Sequence, residues 1–402
     1  MRKKRILTIV HCYNPSIGGT QLMAQKISEG LLATNKYDIT VLTSNLIKSP
    51  HQKVNETIHK KNEKINGILV KRFSIIPLHK FFKIIKKLKF RLLNSKKNLH
   101  PYLSLLNNGP ISFKLFWEAF WGDYDIIFTP SINYSPLFLG LLPNRYRKNK
   151  KLILLGAAHI DDYPDNNLPN KLINLIKKWD YYLANTQYEK DYIKDKGFPN
   201  NNVINLGGGV DIEKFDSSES ILQKKTKINN KLIVGYIGRV NESKNIKILL
   251  KSIPIILKSF KNVDFLFAGI FDPTIKDFIE DNFSDNIIIK DNFEENDKPK
   301  IYNAIDIFVN PSKSESFGIT FIEAWAAKKP VIGINIGSIS SLIQHEKNGL
   351  ICKPDDSYDI ADKVLKLLNN KDIRNSFGTN GYDFVKNNYS WNAIIKKIEN
   401  II

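Results

Sequence analysis

Short apolar runs alternate with amphipathic stretches along the whole chain, a pattern typical of βαβ units around parallel sheets. The first half contains runs that predict the strands RILTIVH, DITVLTS, GILVKRF, DIIFTP, KLILLGA, YYLAN and VINLG. The second half contains KLIVGYIG, VDFLFAG, NIIIK, DIFVNPS, PVIGIN and GLICK. The pattern therefore predicts an α/β fold with two doubly wound, Rossmann-like domains that face each other across a cleft.

A polar stretch separates the two sets of predicted strands. The segment GGGVDIEKF (207–215) is followed by DSSESILQKKTKINNK, in which hydrophobicity is lost. We therefore predict an N-terminal domain at 1–208 and a C-terminal domain at 209–402, with the three glycines as a hinge. The last helix, roughly 390–402, could cross back to the first domain.

The net charge of +20 is distributed very unevenly. Residues 1–208 contain 33 Lys and Arg against 14 Asp and Glu, whereas residues 209–402 contain 27 against 26. The stretch from Lys64 to Trp117 has 12 basic residues and no acidic one. Such asymmetry indicates an anionic partner for the first half, either a membrane surface or a nucleic acid.

One basic segment, LHKFFKIIKKLKFRLL (78–93), has apolar residues at helical spacing and cations largely opposite them. This pattern predicts an amphipathic helix that lies in an anionic membrane surface. An ordinary helix packed on its own domain is the alternative. We favour membrane contact because the acid-free flanks add charge that packing does not require.

The remaining composition indicates the compartment. Cys12 and Cys352 are the only cysteines and lie far apart, which argues against a disulfide framework or a cysteine metal site and suits a reducing cytoplasm. The apolar run ILTIV near the start is too short for a signal peptide, and no run approaches 18 apolar residues. We expect a cytoplasmic protein associated peripherally with the inner face of the membrane.

Ligands bind at the carboxyl ends of strands in open parallel sheets, so the loops after strands are the places to search. Arg239 and Lys244 follow the strand KLIVGYIG, and two cations beside a helix N-terminus suit a diphosphate. A solvated basic loop is the alternative. After the strand DIFVNPS comes SESFGITFIEAW, with Glu315 in the loop and Glu323 inside an apolar helix. Capping would explain Ser316 but not Glu323.

Three loop features in the first half are weaker signals. Gly18-Gly19 precede a helix and would let a phosphate or sugar approach the backbone. His159 follows a strand, although a lone histidine is more often structural. Two carboxylate pairs, Asp123 with Asp125 and Asp161 with Asp162, are weak evidence for a metal; we interpret the first as a strand-entry loop.

Taken in order, these motifs resemble family 4 of the retaining glycosyltransferases, which have the GT-B fold. The order is a diglycine loop, a histidine after a mid-domain strand, GGGVD, GRVNESKN and PSKSESFGITFIEAWAAKKPVIG. The resemblance covers nearly the whole chain and is strongest from about 233 to 355. It implies a nucleotide-sugar donor such as a UDP- or GDP-sugar, a lipid-linked or glycan acceptor, and no metal ion or other cofactor.

The resemblance also implies roles for individual residues. Arg239 and Lys244 would hold the diphosphate and stabilise the charge that develops on it, and Glu323 would bind the ribose diol. Glu315, with the backbone of Phe317 and Gly318, would contact the transferred sugar. On the other side of the cleft, Gly18 and Gly19 would lie near the donor and His159 would bind a sugar hydroxyl.

One position departs from the family. Many relatives have G-G-x-x-E after the next strand, whereas this chain has GSISSLI with Ser341 at the acidic position. Two other functions remain open. A basic nucleic-acid-binding protein would explain the charge but not the two glutamates, and we expect no nucleic-acid partner. A GT-B nucleotide-sugar epimerase would need further acids in the cleft.

Overall fold

A computed structural model describes residues 2–16, 18–47, 56–75, 112–130, 132–141, 150–216, 231–283 and 285–402. The predicted amphipathic helix at 78–93 lies outside these residues. Within them, no helix combines the length and the apolar character needed to cross a membrane.

The first half of the chain forms one sheet. Its strands are β1 Lys4–Ile9, β2 Tyr37–Ser44, β3 Asn62–Ile65, β4 Ile68–Phe73, β5 Ile126–Pro130, β6 Lys151–Leu155, β7 Tyr181–Ala184 and β8 Val203–Asn205. Their order in the sheet is β3-β4-β2-β1-β5-β6-β7-β8, and β3 with β4 forms the antiparallel pair at one edge. All seven strands predicted for this half are present; β3 was not predicted.

The second half forms a parallel sheet. Its strands are β9 Leu232–Ile237, β10 Val263–Gly269, β11 Ile287–Asp291, β12 Ile307–Asn310, β13 Val331–Ile334 and β14 Gly349–Cys352. Their order is β11-β10-β9-β12-β13-β14. The strand order of each sheet reverses beside its first strand, which opens a crevice at the carboxyl ends of the strands.

Helices cover both sheets. In the first half they are α1 Gly19–Ala33, α2 Phe113–Trp121, α3 Pro136–Leu139, α4 Asn170–Ile176 and α5 Gln187–Asp195, and the second half begins with α6 Ile212–Asp216. It continues with α7 Ile246–Ser259, α8 Pro273–Asn282, α9 Lys298–Ala304, α10 Ile319–Ala326, α11 Gly337–Ser340, α12 Ser357–Leu368, α13 Lys371–Asn388 and α14 Trp391–Glu399. Short 3₁₀ turns occur at Ile160–Asp162, Pro164–Asn166, Asn200–Asn202, Glu242–Lys244 and Glu295–Asp297.

The final helix, α14, packs on α1 in the first half of the chain. A Cβ added at Gly30 would lie 2.5 Å from Cγ1 of Ile395, so the two helices touch closely at this glycine. At their ends, the Lys36 Nζ donates to Glu399 Oε1 at 2.9 Å. One cluster of buried apolar residues runs through both halves, which joins the two sheets by packing as well as by the chain.

The three glycines predicted as a hinge lie against aromatic rings. A Cβ at Gly207 would overlap the Tyr389 ring, one at Gly208 would lie 2.8 Å from the Phe317 ring, and one at Gly209 would overlap the Trp391 ring. The segment therefore needs glycine because backbone and aromatic rings are in direct contact. Hinge motion itself stays a prediction.

Candidate functional site

A cavity of about 410 Å³ lies between the two sheets, at the carboxyl ends of their strands. The loops after several strands contribute to its lining, among them those that carry Gly19, Tyr134, His159, Asn185, Arg239 and Glu315. Of the residues singled out from the sequence, Gly19, His159, Arg239, Lys244, Glu315, Phe317 and Gly318 line it, and Gly18 and Glu323 do not. Residues from both halves of the chain thus meet at one site.

The two predicted phosphate-binding cations differ in environment. Arg239 is exposed, and its guanidinium has no hydrogen-bond or ion-pair partner in the described part of the chain. Lys244 ends the 3₁₀ turn after β9, and its Nζ donates to Glu315 Oε1 at 2.7 Å. Because the Lys244 and Glu315 side chains are only 16% and 14% exposed, each charge is largely compensated by the other. Arg239 is the cation left available to an anionic ligand.

A second contact also holds Glu315. The Asn310 Nδ2 lies 3.5 Å from Glu315 Oε1 and 3.2 Å from Thr320 Oγ1. Asn310 ends β12, so the end of the strand and Lys244 both donate to the same carboxylate oxygen. The Glu315 carboxylate therefore has a defined position at the cavity wall.

Backbone groups line the cavity beside Glu315. Gly318 has φ of +87°, a left-handed conformation that favours glycine, and it begins α10. The first N–H groups of a helix have no partner within the helix, so this end suits an anion or a hydroxyl oxygen. The ring of Phe317 is buried and meets Tyr389 at a centroid distance of 5.2 Å. Phe317 can therefore serve a ligand mainly through its backbone.

Glu323 is buried inside α10 and is already engaged. Its carboxylate accepts from Lys298 Nζ at 3.0 Å and from Tyr302 Oη at 2.9 Å. Burial raises the pKa of Glu323, while the Lys298 ammonium and the hydrogen bonds from Lys298 and Tyr302 oppose that rise. Burial alone would lower the pKa of Lys298, but Glu323 and Glu295 together raise it, so the pair is an ion pair. A ribose would have to share this carboxylate with two protein donors.

The first half contributes His159 and the diglycine loop. The His159 Nδ1 lies 3.3 Å from Ser314 Oγ, across the cleft in the second half, and 3.6 Å from Asp162 Oδ2. A Cβ at Gly19 would be 3.7 Å from Ile319 Cδ1, so the start of α1 faces the start of α10. The two helix N-termini therefore lie close to each other at the cavity wall.

Sequence reasoning missed several residues at or beside the cavity. Tyr134 lines it, and its ring stacks on His11 at a centroid distance of 3.8 Å. Asn185 also lines it, directly after β7. Both follow predicted strands, so the carboxyl-end rule could have found them. Lys298 and Tyr302 have no such signal, because only packing brings α9 against Glu323.

The aspartate pairs lie elsewhere. Asp125 accepts from the Arg2 side chain and the Arg5 backbone N–H, and Asp123 pairs with the Arg5 guanidinium, all at the start of β1. Asp161 lies in the turn after β6; burial raises its pKa, opposed by a hydrogen bond from Tyr188. Among the described residues, no group of three or more His, Cys, Asp and Glu is arranged to hold a metal ion.

Ser341, the position that departs from the family pattern, follows α11. Its Oγ donates to the Ser338 carbonyl at 2.8 Å, and it does not line the cavity. The same short helix contacts the first half, because a Cβ at Gly337 would lie 2.5 Å from the Tyr188 ring. Ser341 therefore closes a turn at the interface between the two halves.

Comparison with known proteins shows that this chain is similar to glycosyltransferases. Residues 217–384 match the family Glycosyl transferases group 1. An uncharacterized glycosyltransferase of Methanocaldococcus jannaschii is 23% identical over 100% of this chain and 98% of its own length. The capsular polysaccharide biosynthesis glycosyltransferase CapM of Staphylococcus aureus is 30% identical, over 48% of this chain and 52% of CapM. The predicted resemblance to a family of GT-B glycosyltransferases is confirmed, and the family that matches is group 1.

Solved structures share the whole fold. A sucrose-phosphate synthase from Thermosynechococcus elongatus superimposes with a TM-score of 0.72 at 18% identity, covering 99% of this chain and 98% of its own. The Anabaena protein HepE, in complex with UDP-glucose, gives 0.69 at 16% identity, covering 98% of each chain. The predicted GT-B fold is confirmed. Together with the family match, it supports a glycosyltransferase.

Proposed function

We propose that this chain, whose residues 217–384 match the group 1 glycosyltransferases, transfers a hexose-type sugar from a nucleoside-diphosphate sugar to a lipid-linked or glycan acceptor, with retention of anomeric configuration. One observation carries the proposal. A single cavity brings together an available arginine, a lysine–glutamate pair, two facing helix N-termini and a histidine, from both halves of the chain.

The diphosphate of the donor binds between Arg239 and Lys244. Arg239 is exposed and without a side-chain partner among the described residues, so it can bind two phosphate oxygens at no cost in existing contacts. Lys244 turns from Glu315 towards the phosphate when the anion arrives. Both cations then stabilise the negative charge that develops on the leaving nucleoside diphosphate in the transition state. The backbone of Gly19, in the first half of the chain, approaches the donor diphosphate.

The sugar occupies the space between Glu315 and His159. Both can hydrogen-bond hydroxyl groups, and the 3.3 Å contact between His159 Nδ1 and Ser314 Oγ brings the two walls together there. Of the described residues that line the cavity, Glu315 is the only carboxylate. Epimerisation needs both an acid and a base at the reacting carbons, so a site with one carboxylate favours transfer over epimerisation.

Glu323 does not line the cavity itself, so the ribose extends beyond the cavity wall to reach the remaining lone pairs of this carboxylate. An ionised carboxylate can accept about four hydrogen bonds, and Lys298 and Tyr302 supply two. The two protein donors also fix the orientation of the carboxylate, which reduces the entropy lost when the nucleotide binds.

The acceptor side faces a membrane in this proposal. On α2, Phe113, Trp117 and Trp121 recur every fourth residue and are 75%, 63% and 51% exposed. Tryptophan is enriched at membrane interfaces, and this aromatic face overlaps the end of the acid-free basic stretch, 64–117. We therefore propose that the enzyme lies in the cytoplasm, at the inner face of the membrane, and that the basic segment 78–93 contacts the same surface. The relative CapM, named for capsular polysaccharide biosynthesis, favours a polysaccharide or its lipid-linked precursor as acceptor.

Transfer is tested by incubating the protein with UDP-, GDP-, ADP- and CMP-sugars and membrane lipid extract, and by measuring release of the free nucleotide. We expect release from one class of donor, reduced but still measurable in His159→Ala, and a product whose anomeric proton has the same configuration as in the donor. An inverted product would contradict the retaining mechanism, and no release from any donor would contradict the transferase.

Membrane contact is tested by sedimentation with phosphatidylglycerol-containing vesicles. Replacing Phe113 and Trp117 by serine should reduce binding, whereas Tyr358→Ser, which removes an aromatic ring that is 74% exposed in the second half, should not. Equal binding of both variants would reject the α2 face as the contact surface.

A further inference from the structure

A buried carboxylate lies behind the sugar end of the cavity. Glu189 is the third residue of α5, whose N-cap Thr186 accepts from the Glu189 N–H at 3.1 Å. In a capping box, such a glutamate would reach back to the N–H of the N-cap residue. Here it is directed elsewhere. Its Oε2 accepts from the Asn185 N–H at 2.7 Å and its Oε1 from the Ala158 N–H at 3.0 Å.

These contacts join the ends of two neighbouring strands. Ala158 belongs to the loop after β6, and Asn185 directly follows β7. The Tyr182 hydroxyl, from β7 itself, donates to Glu189 Oε1 at 2.6 Å. One carboxylate thus receives three hydrogen bonds and holds two loops that line the cavity.

The loop after β6 is shaped around this carboxylate. A Cβ at Gly156 would overlap Glu189 Oε1, so only glycine fits there. The next residue, Ala157, has φ of +54°, which is uncommon for a residue with a side chain. His159 is the next residue after Ala158, whose N–H donates to Glu189. A loop with a left-handed alanine needs contacts that hold it in place, and Glu189 supplies one directly.

We propose that Glu189 is a positioning residue: by holding the Ala158 and Asn185 N–H groups, it fixes the loop that presents His159 to the sugar of the donor. This inference rests on the proposed function, because it assigns His159 a sugar ligand. Glu189 itself does not line the cavity, so it acts through the loop rather than by touching the donor.

The structure offers a matched control in the other half. Asp359 is the third residue of α12, its N–H donates to the N-cap Asp356, and its Oδ2 accepts from the Lys353 N–H at 2.7 Å. Neither Asp359 nor Lys353 lines the cavity. Asp359→Ala therefore removes an equivalent contact between a helix start and its preceding loop, away from the site.

The first measurement is hydrogen exchange by mass spectrometry, which needs no donor. In Glu189→Ala, the peptide that contains residues 156–159 should exchange at least tenfold faster than in the wild type, and in Asp359→Ala it should not change. Glu189→Gln, which keeps one acceptor, should fall between them. Unchanged exchange at 156–159 in Glu189→Ala would overturn the proposal, whether or not the protein proves to be a glycosyltransferase.

The second measurement is a double-mutant cycle on turnover with the donor that the wild type uses. Glu189→Ala should lower kcat at least tenfold with a smaller effect on KM, and it should have no further effect in a His159→Ala background. Additive losses would contradict action through His159. If the wild type uses none of the donors, the proposed function fails, and the exchange measurement alone decides whether Glu189 holds the loop.

Discussion

The buried Glu189 should leave a measurable signature in the pH dependence of stability. Burial raises its pKa from 4.5 to about 7, against the opposing hydrogen bonds from Tyr182, Ala158 and Asn185. In the unfolded chain, the carboxyl loses its proton near its ordinary pKa. Between the two values, the folded protein holds a proton that the unfolded chain has released. The free energy of unfolding therefore has its full value below the pKa of the unfolded chain. It falls as the pH rises from 4.5 to about 7.

The magnitude follows from the two pKa values. Their difference of about 2.5 pH units, at ~1.36 kcal/mol each, corresponds to about 3 kcal/mol. About 2–3 kcal/mol of this loss falls between pH 5 and 8, because the unfolded carboxyl is already largely ionised at pH 5. Glu189→Gln removes the titration and keeps the shape of the side chain, so it serves as the reference.

The assay is urea unfolding of the wild type and Glu189→Gln, followed by tryptophan fluorescence at several values from pH 5 to 8. Other groups titrate in both proteins and cancel in the difference. We expect the free energy of unfolding of the wild type to fall relative to Glu189→Gln by about 2–3 kcal/mol across this range. Parallel pH profiles would refute the assignment of a buried carboxyl that titrates near neutrality.

Three further predictions concern the cleft and the segment that joins the halves. Gly209→Ala should lower stability by about 1–3 kcal/mol, because the new Cβ would overlap the Trp391 ring; Gly19→Ala, with ordinary contact distances, should leave the melting temperature within a degree or two. Lys244→Ala should lower kcat more than it raises the dissociation constant of the donor, and turnover equal to wild type would reject its role at the leaving group. Glu323→Ala should weaken nucleotide binding and also cost about 2 kcal/mol of stability, because it leaves its buried ammonium partner short of an acceptor; a variant that binds nucleotide normally would remove Glu323 from the ribose site.

The strands were predictable where burial dictates the residue types. Strands buried on both faces are continuous apolar runs, so their positions follow from the sequence alone. The segment Asn62–Ile65 was missed because it reads NEKI and lies at the edge of its sheet, alternately exposed and half-buried. Its backbone pairing with β4, rather than an apolar pattern, makes it a strand.

The site was predictable as far as its residues follow strands directly. Arg239, Glu315 and His159 meet at the cavity because carboxyl ends of parallel strands share one edge. Partners that come from distant segments were not predictable. The pairing of Lys244 with Glu315 and the contacts of Glu323 with Lys298 and Tyr302 depend on tertiary packing, which a local pattern does not contain.

The glycines at 207–209 illustrate the same limit. Their composition indicated a special backbone segment, but the rings that require glycine belong to residues 317, 389 and 391. The steric reason therefore becomes visible only when the chain is folded.

The central claim, a nucleoside diphosphate held by cations at the cleft, is tested most directly by calorimetric titration of UDP, GDP, ADP and CMP. We expect one nucleotide to bind, and Arg239→Ala to weaken it by tenfold to a hundredfold, as ~1.5–3 kcal/mol for a charged hydrogen bond implies. Lys261→Ala, which removes an exposed cation outside the cavity, should bind like the wild type. Binding that survives Arg239→Ala unchanged, or no binding of any nucleotide, would contradict the account.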